Sequence, residues 1–170
     1  RPSTMSAAQF LTRFGDIFED TPEIALRAWQ AGLTAREDSA EGLHAALVGA
    51  LRGLPAEQQR ALIRAHPELA GRLAQAGQLT QASTTEQGSA GLDHLPPEDA
   101  AAFDRLNAAY RERFGFPFII AVRGRSRAEI LAVFEARLGR GQAEEEATAL
   151  DEIGAITRMR LDMLILGAGD

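Results

Sequence analysis

A chain of 170 residues with 45% apolar content can bury one core and is short for two ordinary domains. Its formal net charge of −6 argues against a nucleic-acid partner, because a phosphate-tracking surface needs a basic excess on some face, and the one basic cluster is the short "RGRSR" at 123–127. No run approaches the ~20 apolar residues of a membrane span, no charged start leads into an apolar signal region, and the terminal "LGAGD" is not a peroxisomal address, so the expectation is a soluble cytoplasmic protein with no membrane partner.

Along the chain, helix signals recur with their own start and stop chemistry. "SAAQF" places Ser6 and Gln9 at capping-box spacing, and "TPEIALRAW" offers Thr21 as N-cap with Pro22 at the first helical position. "SAEGLHAALVGALRG" ends on Gly53, and "LPAEQQRALIRA" begins with Pro55 and stops against Pro67. "PPEDAAAFDRLNAAYRERFG" is amphipathic, with Phe103, Leu106, Ala109, Tyr110 and Phe114 along one side and Gly115 as its stop. "FPFIIAVRG", 116–124, is β-branched and aromatic, and too short for a helix. It reads as an extended segment, about 116–123, lying across helices. "SRAEILAVFEARLG" carries a second capping box, Ser126 with Glu129, and a long helix over roughly 142–166 closes the chain. The fold class is all-α, one compact multi-helix domain over 1–170, with Met5 a candidate native start and residues 1–4 outside it.

Composition narrows the chemistry. There is no cysteine, hence no thiol nucleophile, and all 18 basic residues are arginine. Without lysine, Schiff-base catalysis and covalent pyridoxal phosphate attachment are closed. His44, His66 and His94 are isolated, with no H-E-x-x-H arrangement, so no metal site is expected.

His66 stands where Pro67 interrupts "RAHPELAGRL". Proline disfavours helical backbone at the preceding residue, so one helix ends at Ala65 or His66 and Pro67 can begin another. The positive end of that next helix would favour a neutral imidazole, able to act as base or donor near neutrality. The plain alternative is a polar joint between helices. In "LTQASTTEQGSAG", 79–91, Ser83 and Glu86 form a capping-box pattern, and Gly88 and Gly91 predict a short turn. Such a turn offers N–H groups and a carboxylate to a polar, urea-like ligand. In "LDEIGAITRMRLDMLIL", Ile153, Ile156, Met163 and Leu164 share one helix face with Arg160 in its middle. An inward guanidinium needs an anionic partner, for which Glu86 and a bound ligand are the candidates, unless Arg160 belongs to a purely structural ion pair.

The motifs "HPELAG", "LTQASTTEQ", "LNAAYRERFGFPFIIAVRG" and "EIGAITRMRL", in this order and spacing, resemble the OHCU (2-oxo-4-hydroxy-4-carboxy-5-ureidoimidazoline) decarboxylases of urate breakdown, and "FGDIFEDTPEIALRAW" resembles the opening helices of that family. The resemblance implies an all-helical, usually homodimeric enzyme that uses no cofactor and converts OHCU to (S)-allantoin and carbon dioxide. It gives His66, Glu86 and Arg160 the catalytic roles. Substrate binding falls to Pro67, to the turn Ser83, Thr84, Thr85, Glu86 and Gln87, and to Phe118, Ile119, Ile120, Ala121 and Val122, partly through main-chain atoms. Relatives often carry lysine at Ala155, leucine at Met159, and longer polar side chains at Thr84 and Thr85. A non-catalytic helical module that binds a ureide or another protein is the competing reading.

Overall fold

The computed structural model describes residues 1–71 and 81–166. Leu79 and Thr80, at the head of the 79–91 motif, and residues 167–170 lie outside these. The described elements are helices and short 3₁₀ turns, an all-α fold. Residues group into two compact units, one made of Arg1–Gln59 and the chain from Ile153 onward, the other of Arg60–Glu152.

In the first unit, α1 (Ala7–Phe14) opens on the expected capping box. Ser6 Oγ accepts from Gln9 N–H at 3.3 Å, and Gln9 Oε1 accepts from Ser6 N–H at 2.9 Å, so two donors the helix cannot use internally are satisfied. α2 (Pro22–Gln30) has Thr21 and Pro22 at its start as the sequence implies, although the Thr21 side chain makes no capping bond. α3 (Ala40–Arg52) is capped by Ser39 and ends at Gly53. Phe10, Phe14, Ile24, Leu43, Leu47 and Leu51 form the buried face of these helices. His44 faces Gly154 O at 2.8 Å, a structural tether from α3 to the last helix, Gln142–Leu166.

The second unit takes in the end of α4 (Ala56–Ala65), then α5 (Gln81–Ser89), α6 (Pro97–Phe114), α7 (Arg127–Leu138) and the first half of α8 (Gln142–Leu166). Gly115, at φ +76°, ends α6 in the left-handed conformation that costs glycine nothing. α7 starts on the predicted Ser126–Glu129 capping box. Between them, residues 117–122 run without turn or bend, and the residues from Phe116 to Val122 are buried except half-buried Ala121. Phe118 stacks on Phe134 at 3.8 Å between ring centroids, with Tyr110 edge-on to both. The extended segment therefore lies against α6 and α7, as its composition predicts.

Three sequence expectations are corrected. Pro67 does not open a helix: residues 67–71 form a loop with a turn at Leu69–Ala70, so the argument from a helix N-terminus to a neutral His66 loses its basis. Ser83 is the third residue of α5 rather than its cap, and α5 runs through Gly88 as nine residues, not a short turn. On α8, Ile153, Ile156 and Arg160 are buried, whereas Met163 and Leu164 are exposed; the buried stripe passes instead through Thr157 and Leu161.

Candidate active site

α6 is the platform of the second unit. Asn107 and Arg111 lie one turn apart on it, and both reach the 66–71 loop: Asn107 Nδ2 donates to Leu69 O at 2.9 Å, and Arg111 pairs with Glu68 at 2.7 Å. Tyr110, between them, packs on the extended segment. One helix thus holds both pieces of chain that the sequence motifs single out.

The loop is held again from α5. Ala70 N–H donates to Gln87 Oε1 at 2.9 Å, and Gln87 Nε2 donates to Glu68 O at 3.3 Å. Gln87 is 5% exposed, so both ends of its carboxamide are spent on loop main chain in a buried setting. The loop needs such a clamp, because Ala70 sits at φ +50°, a left-handed conformation that a side chain disfavours.

His66 caps this arrangement, half-buried at the end of α4. Its Nδ1 lies 3.1 Å from Pro67 O. A carbonyl only accepts, so in the neutral ring Nδ1 carries the proton and Nε2 the lone pair. The Pro67 turn therefore sets the tautomer as well as ending the helix. Next to Gln87 on α5, Glu86 is half-buried and Ser83 buried, while Thr84 and Thr85 are exposed.

The extended segment is held by a buried charge network. Arg137 of α7 donates through Nη1 to Ile119 O at 2.7 Å and through Nε to Glu145 Oε1 at 2.8 Å. Its guanidinium carbon lies 4.4 Å from the Phe118 ring centroid. Glu145 Oε1 also accepts from the Tyr110 hydroxyl at 2.5 Å, and Arg140 Nη1 stands 3.2 Å from Glu145 Oε2 as an ion pair. Burial, reinforced by the hydrogen bond to Glu145, pushes the Tyr110 hydroxyl well above the ordinary phenol range. On the same segment Ala121 N–H donates to Glu152 Oε2 at 2.9 Å. That donor, expected to face substrate, is engaged by the protein itself.

Arg160 belongs to the first unit and is 6% exposed. It pairs with the Glu19 carboxylate and donates to Ile17 O at 3.1 Å, so its acidic partner there is a residue the periodicity did not indicate. Glu19 is itself held at φ +54°. Among the described residues no group of three histidines, aspartates or glutamates has metal-binding geometry, and His94 is a surface residue beside Asp93. Sequence reasoning missed Asn107, Arg111, Arg137, Glu145, Glu152 and Glu19. The signal for Asn107 is a polar residue on the apolar side of an amphipathic helix; the others reach their partners only through the tertiary fold.

A histidine with one ring nitrogen set by a main-chain carbonyl, a helix bearing the half-buried Glu86 and a buried extended strip are groups that an all-helical enzyme of the acid/base class can use. A model of the OHCU decarboxylase family matches residues 3–162, and the chain belongs to that family. The 2-oxo-4-hydroxy-4-carboxy-5-ureidoimidazoline decarboxylase of Amia calva is 38% identical over 163 residues, covering 96% of this chain and 91% of the relative. The protein of the same name from Haloferax volcanii is 40% identical over 152 residues, covering 89% and 86%. In fold, the chain is similar to a crystal structure of OHCU decarboxylase in the presence of (S)-allantoin, with a TM-score of 0.67 and 21% identity over 88% of this chain and 94% of that one.

Proposed function

We propose that the protein decarboxylates OHCU to (S)-allantoin and carbon dioxide, with His66 handling the proton. The observation that carries this reading is the His66 ring, whose Nδ1 is committed to Pro67 O on a loop clamped by Gln87, Asn107 and Arg111. A proton carrier held in one tautomer and one place delivers to one face of an intermediate, as a single enantiomer requires.

The chemistry needs an electron sink, and the substrate supplies it. The C–CO2 bond breaks, its electron pair becomes a C=C bond as the pair of the adjacent ring C=N moves onto nitrogen, the nitrogen takes up a proton, and carbon dioxide leaves. The resulting enol-amine gains a proton on carbon and loses one from its hydroxyl. His66 delivers the carbon-bound proton, Glu86 orients the imidazole and accepts from the ureido N–H groups, and the same reading gives Arg160 the role of holding oxygens that gain charge. Pro67, Ser83, Thr84, Thr85 and Gln87 frame the substrate, with Gln87 acting through the loop it holds. Phe118, Ile119, Ile120, Ala121 and Val122 line it. No added cofactor takes part, so activity should survive dialysis against a chelator. The family resemblance supports a homodimer, which sedimentation would test.

The test is circular dichroism of allantoin formed from OHCU generated in place. Uncatalysed decay yields racemic allantoin and no lasting signal. The expected result is rapid growth of an (S)-allantoin signal that is lost in His66→Ala. A flat signal at high protein concentration, or near-normal turnover in both His66→Ala and His66→Gln, would refute the assignment.

A further inference from the structure

Two residues to which the resemblance gives no role grip the main chain of the extended segment, and they carry opposite charge. Arg137 takes the carbonyl of Ile119 at 2.7 Å, and Glu152 takes the N–H of Ala121 at 2.9 Å. In extended backbone the N–H and C=O of one residue point to the same edge, and those of the next residue point to the opposite edge. Ile119 and Ala121 therefore share an edge, the one held by protein charges. The N–H and C=O of Ile120, between them, face the other way, and among the described residues no main-chain hydrogen bond engages them.

Arg137 has little freedom to move. It is 4% exposed, bonded to Glu145 and seated on the Phe118 ring, and Glu145 is fixed in turn by Tyr110. Glu152 is half-buried on α8, two turns after Glu145. One cation and one anion, each rooted in a helix, thus fix a carbonyl and an amide two residues apart. Such a pair sets the position and the rotation of the segment about its own axis. A single hydrogen bond would leave the rotation loose.

We propose that Arg137 and Glu152 are positioning residues of the reaction, a charged clamp on one edge of the Phe118–Val122 segment that presents the Ile120 main chain to the ligand at a fixed place. This rests on the functional reading above. It also explains why the segment needs no second strand: the polar groups of its protein-facing edge are met by charged side chains instead of a ladder.

Glu152 is the residue to test, because it is half-buried and its replacement leaves the buried Arg137–Glu145 pair intact. Glu152→Gln retains an oxygen acceptor for Ala121 N–H, and Glu152→Ala removes it. Each variant is assayed for KM and kcat on OHCU, for the enantiomeric excess of the allantoin, for thermal midpoint, and for exchange of the Ala121 amide. Losing one positioning hydrogen bond is expected to raise KM about tenfold in Glu152→Ala, with a lower enantiomeric excess and faster Ala121 exchange. Glu152→Gln should return KM to within about threefold of the parent, since its carboxamide oxygen still accepts. A lower thermal midpoint in Glu152→Ala with unchanged KM and enantiomeric excess would make the contact merely structural and overturn the proposal. So would Ala121 exchange that ignores the substitution, or a Gln variant as impaired as the Ala variant. A parent protein that forms no allantoin overturns the functional reading and the positioning role together, an outcome distinct from an active parent whose variants behave alike.

Discussion

Replacing Gln87 by leucine tests whether the His66 loop is held from α5. Leucine roughly fills the same volume, so the cavity contribution is small, and what is lost is the two hydrogen bonds to Ala70 N–H and Glu68 O. Each is worth about 0.5–1.5 kcal/mol net, and leaving a buried group without its partner raises the cost. The left-handed Ala70, at φ +50°, carries roughly 1–2 kcal/mol of strain in the parent, so a loop freed from the clamp gains by leaving that conformation and opens the more readily. The expected destabilisation is about 2–4 kcal/mol, measured by urea titration, with amide exchange at Ala70 rising in parallel. If the loop opens locally before the protein unfolds, the exchange change will exceed the change in global stability. Turnover should fall as well, because His66 is carried by the same loop. Ala70→Gly is the control: it relieves the left-handed strain but enlarges the unfolded ensemble by about 0.4–1 kcal/mol, so it should be nearly neutral. A Gln87→Leu protein within about 0.5 kcal/mol of the parent, with Ala70 exchange unchanged, would refute the clamp.

Three further outcomes are expected. Tyr110 is the only tyrosine, so phenolate absorbance reports it cleanly. With a folded pKa raised by burial above the ordinary 10, its stabilising contribution is intact below pH 10 and is lost as pH climbs through the folded value. A phenolate titrating near pH 10 in the folded protein would contradict its contact with Glu145. Ser126→Ala should cost about 1 kcal/mol by removing the cap of α7, read from thermal melts. The Ser126 main-chain N–H, and after it the Ser126 hydroxyl, hold the Glu129 carboxyl below its ordinary 4.5, so this part of the stability is present above pH 4.5 and fades as pH drops through the lowered value; Ser126→Ala removes only the hydroxyl's share and should shallow the acid limb of the stability curve in part. Glu19→Gln removes the charge facing Arg160 and is expected to cost roughly 1.5–3 kcal/mol in urea titrations, whereas a neutral result would mean the Glu19–Arg160 pair is energetically idle.

What the sequence made legible is what depends on neighbours in the chain. The capping boxes at Ser6 and Ser126, the stops at Gly53 and Gly115, and the long helix over 142–166 all rest on contacts within four residues, and all stand in the structure. The same local rule misread Ser83 and Glu86, because an S-x-x-E spacing also places two residues on one face inside a helix, and only the start of α5 at Gln81 distinguishes the cases. It misread Pro67 for a different reason. Proline can open a helix, but here Gln87 and Asn107 hold the following residues in a loop, and neither partner is near in sequence.

The least legible features are the buried charges, above all Arg137, which holds the extended segment of the second unit, and its partner Glu145. Arg137 and Glu145 read as surface residues on amphipathic helices, since a charged residue normally marks the solvent face, whereas the periodicity turns Arg160 inward without indicating Glu19 as its partner. Burying them is costly unless each meets an opposite charge or several acceptors, and the partners found are Glu145 for Arg137 and Glu19 for Arg160. Apolar residues could fill those volumes with less risk to stability, yet none could hold the Ile119 carbonyl or face an anion. The places where pattern reasoning fails are thus the places where the fold spends charge on geometry, which is what a site needs and a core does not.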